Sequence, residues 1–389
     1  MTGAPHAASV TVGVRHLYVH LPFCVHRCGY CDFVTVVGRV GEHGSYVDAL
    51  VAELSLEGGV LADPLETVFI GGGTPTFTEQ GELRRLLDAL PRAAEVTVEA
   101  NPETVTPELA SLLSETGVTR VSLGAQSFQP GLLDVLERRA GPDAVRRAFH
   151  TLRDVGFDNI SLDLLYGIPG QSASDLVADL AEALALAPEH LSYYELEAKP
   201  GTRFTHAYGD ELERQAEAME GYFEQVVETL TGAGYRWYET ANFCLTPAGA
   251  GGRDVRAHHN LGYWRASDYL GIGIGAVSTV DGVRRRNLPG MRGYLAALSG
   301  QLPPPREVER LDDGTRSRER LLLGLRLDEP LLLDAGLESV LDARARERLT
   351  RGGLIEPDRQ KVGSSLTLTK RGRFLGGGVT VELFADEPA

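Results

Sequence analysis

The segment HLPFCVHRCGYCDFV, residues 20–34, contains three of the four cysteines of the chain within eight positions. Three thiolates at the spacing Cys-x3-Cys-x2-Cys are soft ligands that suit an iron-sulfur cluster, and they leave one iron of a four-iron cluster open. A structural zinc ion would need a fourth ligand, which His26 inside the loop or the distant Cys244 could supply. The spacing favours the cluster, and its predicted ligands are Cys24, Cys28 and Cys31.

The composition is that of an ordinary globular protein. The chain has 389 residues, enough for two domains, because single cores rarely grow past about 250–300 residues. Hydrophobic residues make up 43% and charged residues 24%, and no apolar run is long enough to span a bilayer. The formal net charge of −16 opposes broad contact with phosphates. We therefore expect a cytoplasmic protein with no nucleic-acid partner and no stable membrane insertion.

Apolar runs that end in glycine or polar residues alternate with helical patterns from residue 17 onward. The six runs are LYVHL, TVFIGGG, EVTVEANP, RVSLGAQ, NISLDLLYG and HLSYYELE. The helical patterns that follow them cover 46–59, 78–92, 106–116, 129–156, 172–187 and 211–233. Near-continuous apolar strands separated by helices predict a parallel sheet covered by helices. The expected fold class is α/β, a partial (β/α)6 TIM-like barrel.

Unusual residues stand where the predicted strands end. The three-cysteine loop follows the first strand, and Gly71–Gly73, Glu99 and Gln126 stand at the ends of the next three. Asp163 lies within the fifth strand. Because the carboxyl ends of parallel strands meet at one edge of a sheet, these residues are expected to share one rim.

The chain divides by pattern into four parts. We predict an extended or disordered N-terminus over 1–14, the barrel over 15–240, a Gly-rich extension over 241–302 and a C-terminal unit over 303–389. The last part contains helical patterns, the short strand SSLTLT and a closing helix in KRGRFLGGGVTVELF, an arrangement similar to a winged helix. The acidic chain favours a packing role for this unit over nucleic-acid binding.

The cysteine spacing, with an aromatic residue before the last cysteine, resembles the radical S-adenosylmethionine (SAM) superfamily. The motifs YVHLPFC, FIGGGTPT, DLLYGIPGQ and HHNLGYWRASDYLGIGIGA further resemble the HemW family of haem chaperones, related to oxygen-independent coproporphyrinogen III oxidase. This resemblance covers the chain from about residue 15 nearly to its end. It implies a 4Fe-4S cluster whose open iron binds SAM, and cleavage of SAM by one electron to a 5'-deoxyadenosyl radical.

The resemblance also implies two sets of binding residues. The SAM-binding residues would be Tyr18, Tyr30, Gly72, Gly73, Thr74, Glu99, Gln126, Arg138 and Asp163. The haem-binding residues would be His259, Tyr263 and Trp264. Imidazole is a common axial ligand of haem iron, and the family pattern favours His259 over the adjacent His258 as that ligand. The alternative is that His259 is a hydrogen-bonded core or surface residue, as a lone histidine more often is.

The expected function is that of a haem chaperone on a radical SAM core, with haem, a haem-acceptor protein and an electron donor of the flavodoxin or ferredoxin type as partners. The oxidase of the related family carries a further cysteine where this chain has Phe33, and an N-terminal extension for which the 16 residues before LYVHL leave little room. Coproporphyrinogen III dehydrogenase activity is therefore not expected. The alternatives are an oxidase-like enzyme and a radical SAM C-methylase, with a winged-helix nucleic-acid binder as the weakest.

Overall fold

Six adjacent parallel strands form the centre of the computed structural model, which describes residues 13–197, 203–357 and 364–385. The strands are β1 (His16–Leu21), β2 (Phe23–Cys24), β3 (Val36–Val37), β4 (Leu65–Gly72), β5 (Ala93–Ala100), β6 (Arg120–Gln126), β7 (Ile160–Tyr166), β8 (His190–Glu195), β9 (Tyr235–Glu239), β10 (Asn242–Leu245), β11 (Tyr269–Ile272), β12 (Val277–Val280), β13 (Val283–Asn287), β14 (Arg306–Arg310), β15 (Leu331–Leu332) and β16 (Ser365–Leu366). The helices are α1 (His43–Glu57), α2 (Gln80–Ala89), α3 (Pro107–Glu115), α4 (Pro130–Val135), α5 (Pro142–Asp154), α6 (Ala173–Ala185), α7 (Arg203–Gln215), α8 (Met219–Gly232), α9 (His258–Trp264), α10 (Met291–Ser299), α11 (Asp313–Gly324), α12 (Ala335–Ser339), α13 (Ala343–Arg351), α14 (Lys370–Phe374) and α15 (Gly376–Leu383). All but the last two residues of the predicted N-terminal segment 1–14 lie outside the described residues.

The six central strands follow the order of the chain. β1, β4, β5, β6, β7 and β8 are neighbours in the sheet, and each pairs in parallel with the next. Helices α1 to α6 lie between them in sequence. This confirms the predicted α/β fold and places the carboxyl ends of all six strands on one side of the sheet.

The central strands are apolar because both of their faces are covered. Val121 and Leu123 of β6 and Leu162 and Leu164 of β7 are fully buried, as expected for parallel strands packed between helices and the barrel interior. No helix within the described ranges is both long enough and apolar enough to cross a membrane.

The sheet continues beyond the six units at both edges. β10 and β9 form an antiparallel pair beside β8, and β11 pairs in parallel with β1 on the other side. β12, β13 and β14 follow β11 in antiparallel order. The segment predicted as a Gly-rich extension therefore supplies sheet strands, and β14 carries the sheet past residue 303. These strands lack a strong apolar pattern, since β13 reads VRRRN and β14 reads REVER.

Three predicted helical stretches are interrupted, and the one over 129–156 is divided into α4 and α5 by residues 136–141. The predicted helix over 211–233 is part of α7 and α8, which a 3-10 turn at Ala216–Ala218 separates. The closing helix of the chain is also broken, because α14 ends at Phe374 and α15 begins at Gly376. Three consecutive glycines at 376–378 weaken helix propensity there.

The C-terminal part has its own small core. Leu321, Leu337, Leu349, Leu366 and Leu383 are buried in one cluster around the short antiparallel pair β15 and β16. The winged-helix arrangement stays a prediction, and residues 358–363 lie outside the described part of the chain.

Cation–aromatic and ionic contacts join this C-terminal part to the sheet. The Arg373 guanidinium lies 3.6 Å from the centroid of the Trp237 ring and donates to the Trp237 carbonyl at 2.7 Å. Arg236 pairs with both carboxylate oxygens of Asp328 at 2.8 Å. Arg326 pairs with the fully buried Glu239 at 2.7 Å.

Candidate functional site

A cavity of about 370 Å³ opens at the carboxyl ends of the parallel strands. The predicted cluster and SAM residues that line it are Cys24, Cys28, Tyr30, Cys31, Gly72, Gly73, Thr74, Glu99, Gln126, Arg138 and Asp163. Tyr18 lies instead in an adjoining inner chamber. The structure thus brings together on one rim residues that are up to 139 positions apart, from Cys24 to Asp163.

The three-cysteine loop forms one wall of the cavity. Cys24 ends β2 and is buried, and its thiol accepts a hydrogen bond from the Thr74 hydroxyl at 3.6 Å. Burial raises the pKa of the Cys24 thiol to about 11, against the opposing effect of Thr74. Burial also raises the pKa values of Cys28 and Cys31. In the free protein these thiols hold their protons at neutral pH, so ligation of a metal cluster would release them.

Neither residue proposed as a fourth zinc ligand completes the loop. His26 Nε2 is hydrogen-bonded to the Glu137 carbonyl oxygen at 2.7 Å. The same nitrogen lies 3.8 Å from Cys28 Sγ. Cys244 is buried in β10 beside Tyr238 and Leu261, in a different cluster of side chains. Over the residues that the structure describes, no three histidine, cysteine or carboxylate side chains converge as ligands of one metal ion.

The glycines at the end of β4 are required by close packing of the backbone. A Cβ atom on Gly73 would lie 2.5 Å from the carbonyl oxygen of Pro22, and Gly72 has a φ of 118°. Only glycine fits such a position without strain. The Gly72 amide donates to Glu99 Oε2 at 3.1 Å. The tight contact therefore holds the three-cysteine loop against the ends of β4 and β5.

Two carboxylates, those of Glu99 and Asp163, line the cavity at the strand ends. Burial, with the charge of Asp163 added, raises the pKa of Glu99 to about 7. Burial also raises the pKa of Asp163, although Arg120 and serine hydroxyls oppose this rise. Ser122 Oγ donates to the Asp163 carboxylate at 2.9 Å. The pair can accept hydrogen bonds from hydroxyl or ammonium groups of a ligand.

The Arg138 guanidinium connects two strand ends. It donates to Asn101 Oδ1 at 3.0 Å and to the Gly124 carbonyl at 2.8 Å, while its buried Nε has no partner within the protein. Asn101 in turn donates to Thr74 Oγ1 at 2.9 Å. Arg138 also contacts the Cys28 and Tyr30 side chains, so Nε is the one donor it has left for an anionic ligand group.

The inner chamber adjoins this cavity and has a volume of about 220 Å³. Tyr18, Phe33, Phe69, Tyr194 and Asn260 contribute to its walls. The two spaces share lining residues, among them Phe33, Glu99 and Asp163. Phe33 is 64% exposed. Position 33, where the oxidase pattern has a cysteine, therefore carries an exposed aromatic side chain that lines both spaces.

Sequence reasoning missed the residues that orient Asp163. Ser122 and Ser161 donate to its carboxylate, and Arg120, which is 2% exposed, lies nearby with Nε unpartnered. Strand alternation could have identified Ser161, because it lies two residues before Asp163 and on the same face of β7. An arginine at the start of a strand gives no sign that it will be buried.

The predicted haem residues are largely buried and hydrogen-bonded or packed against other side chains in the structure. His259 is 1% exposed, with Nδ1 2.7 Å from Thr67 Oγ1 and Nε2 2.9 Å from the Tyr263 hydroxyl. Its ring also stacks on Phe69. Trp264 packs against Arg326 of the C-terminal part, 4.3 Å from the guanidinium carbon to the ring centroid. Burial lowers the pKa of His259 to about 3, so this imidazole is neutral, and iron ligation would require it to leave a hydrogen bond.

The donors present fit a cluster with SAM beside it. Three thiols line the cavity together with two carboxylates and an arginine whose Nε has no partner within the protein. The cavity volume falls within the roughly 300–1,000 Å³ typical of small-molecule sites. The fold and this site define a radical SAM protein.

Comparison with known proteins agrees. The model of the Radical SAM superfamily matches residues 18–183. The heme chaperone HemW of Mycobacterium tuberculosis is 35% identical over 93% of this chain and 93% of its own, and that of Bacillus subtilis is 33% identical over 94% and 98%. The chain belongs to the HemW family. In fold it is similar to coproporphyrinogen III oxidase (HemN) from Escherichia coli, with a TM-score of 0.80, 21% identity and coverage of 96% and 91%.

We predict that replacing Cys24, Cys28 or Cys31 by alanine abolishes a reconstituted cluster, because each thiol would hold one iron corner. Cys244→Ala is the matched control and should keep the cluster, since this thiol is buried elsewhere. Iron and sulfide analysis after anaerobic reconstitution measures the outcome. A loss of iron in the control as severe as in the loop variants would refute the assignment.

We predict that Glu99→Gln flattens the pH dependence of stability. The folded-state pKa of about 7 exceeds the ordinary value of 4.5, so ionisation of Glu99 opposes folding as pH rises from about 4.5 to 7. The variant should unfold roughly 2 °C or more above the wild type at pH 8 and show a smaller difference at pH 4.5. Thermal unfolding at both pH values tests this, with the exposed Glu338→Gln as control. An equal shift at both pH values would contradict it.

Proposed function

We propose that the chain is a haem chaperone, which binds haem and passes it to an acceptor protein, built on a core that binds a 4Fe-4S cluster and SAM. Membership of the HemW family is the observation that carries this proposal. Residue 33 is phenylalanine, whereas the oxidase pattern has a cysteine there, and this difference favours the chaperone over the oxidase.

In this proposal Cys24, Cys28 and Cys31 hold the cluster at the rim. The cluster, when bound, supplies an electron and an open iron for SAM. Arg138 binds the carboxylate of the SAM methionine through its free donor. Glu99 and Asp163 accept hydrogen bonds from the SAM amine and ribose, and the serines hold Asp163 in position.

The remaining SAM residues shape the space around these groups. Tyr30 and Gln126 line the cavity, Gln126 with a φ of 68°, and the backbone at Gly72 to Thr74 closes it. Tyr18 bounds the inner chamber and hydrogen-bonds to His20 Nδ1 at 3.0 Å. The exposed Arg27, which donates to the Cys31 carbonyl at 3.1 Å, marks the face where a flavodoxin- or ferredoxin-type donor would reach the cluster.

We predict that Asp163→Ala lowers the affinity for SAM by about tenfold or more, because a buried carboxylate that accepts ligand hydrogen bonds is lost. Cluster iron should be retained. Equilibrium binding of SAM to the reconstituted protein measures this, with the exposed Asp143→Ala as control. An unchanged affinity for SAM in Asp163→Ala would show that this carboxylate does not contact SAM.

Two assays on the reconstituted protein test the proposed function. We expect the reconstituted protein to bind added haem with a Soret band and to release it to a haem-free acceptor protein. With coproporphyrinogen III, SAM and a reductant, no protoporphyrinogen IX should form. Sustained formation of that product would favour the oxidase, and failure to bind haem would favour a C-methylase or another radical enzyme.

A further inference from the structure

A buried arginine lies inside the barrel beside the two cavity carboxylates. Arg120 is the first residue of β6 and is 2% exposed. Together with Glu99 and Asp163 it lines the inner chamber. Among the described residues no carboxylate forms a direct ion pair with Arg120, and its buried Nε has no partner. A buried guanidinium is costly unless nearby charges or hydrogen bonds compensate it.

The strand register places Arg120 and Asp163 on the same side of the sheet. Alternation along β6 directs Arg120 and Ser122 to one face. In the neighbouring β7, Ser161 pairs with Ser122, and Asp163 pairs with Gly124. Ser122 Oγ donates to Asp163 at 2.9 Å, which shows that this face is the interior one. The Arg120 charge is therefore directed into the space that Asp163 borders.

A chain of buried polar groups connects these two side chains. Ser161 Oγ donates to Asp163 Oδ1 at 3.3 Å and lies 2.8 Å from His190 Nδ1. Arg120 Nη2 lies 3.3 Å from the same nitrogen, and His190 Nε2 lies 2.7 Å from the Tyr238 hydroxyl. Burial, with the charge of Arg120 added, lowers the pKa of His190, so its ring is neutral. Arg120 therefore supplies the positive charge of this group.

We propose that Arg120 is a positioning residue for SAM, whose charge keeps Asp163 and Glu99 ionised as acceptors for the SAM amine and ribose. The inference rests on the proposed SAM site and adds a residue that acts through Asp163. The amine and the sulfonium of SAM are both positive. Two ionised carboxylates complement these charges, whereas two protonated carboxyl groups would not.

The electrostatics of the two carboxylates support this role. Burial raises the pKa of Asp163, and Arg120 is the strongest of the influences that oppose the rise. Burial and the charge of Asp163 raise the pKa of Glu99 to about 7, and Arg120 again opposes this. Without Arg120 both groups would keep their protons to higher pH. The other titratable groups near the pair are neutral at pH 7, because the pKa is lowered for the histidine and raised for the tyrosines: His190, Tyr18, Tyr194 and Tyr263.

The pH dependence of SAM binding tests the proposal. Reconstituted wild type, Arg120→Gln, Arg120→Lys and the exposed control Arg292→Gln are dialysed against SAM from about pH 6 to about pH 9. Iron content and unfolding midpoints are measured on each sample. We expect Arg120→Gln to bind SAM about tenfold or more weakly at pH 7, since one pKa unit is a factor of ten in the ionised form. The rise of its affinity with pH should lie about one unit or more above that of the wild type.

Two further variants separate the charge of Arg120 from its packing. Arg120→Lys keeps a positive charge and should bind SAM within about threefold of the wild type at pH 7. In an Asp163→Asn background, Arg120→Gln should cost less affinity than in the wild type, because the carboxylate on which it acts is gone. If Arg120→Gln does not fold, Arg120→Lys still decides: a wild-type pH profile supports the charge role, and an equal loss at every pH contradicts it.

The outcomes separate this inference from the proposed function. If the reconstituted wild type binds no SAM, the proposed site fails and the inference fails with it. If the wild type binds SAM and a folded Arg120→Gln matches it at every pH, the site stands and Arg120 has no part in it. A loss of affinity in Arg120→Gln that is the same at every pH would show a packing role and overturn the inference.

Discussion

The parallel pairing of six successive strands is the constraint on which the rest of the structure depends. All six strands run in the same direction, so their amino ends share one edge of the sheet and their carboxyl ends share the other. The loops after the strands therefore meet, and Cys24, Glu99 and Asp163 line one cavity although they belong to different units. The segments before the strands meet at the other end, where His16 and Glu95 line a separate cavity of about 400 Å³.

Helix α9 connects these two ends. Thr67 of β4 lies within hydrogen-bonding distance of both His16 and His259, and Glu95 of β5 accepts from the first two amides of the helix. Asn260 reaches the inner chamber, whereas His258 lines the opposite cavity. Residues of one short helix thus line two different cavities.

The part of the site that could be predicted from sequence is the part set by local spacing and strand order. The thiol loop is local, and Glu99, Gln126 and Asp163 follow from their places near the ends of successive apolar runs. The state of His259 could not be predicted, because its partner Thr67 is 192 residues away and nothing in the local sequence shows that the ring packs against β1 and β4. The weak apolar pattern of β13 and β14 likewise concealed the extension of the sheet.

The central claim is that the three-cysteine loop and the polar strand ends form one site for a cluster and SAM. SAM binding with and without the cluster tests it most directly. Equilibrium dialysis of the reconstituted wild type, Cys28→Ala and Cys244→Ala with SAM measures the affinity, and iron is determined on each sample. We expect about one SAM per chain in the wild type and in Cys244→Ala, and a loss of about tenfold or more in affinity in Cys28→Ala, because the open iron is lost. Equal SAM affinity with and without the cluster would place SAM away from the three-cysteine loop and contradict this claim.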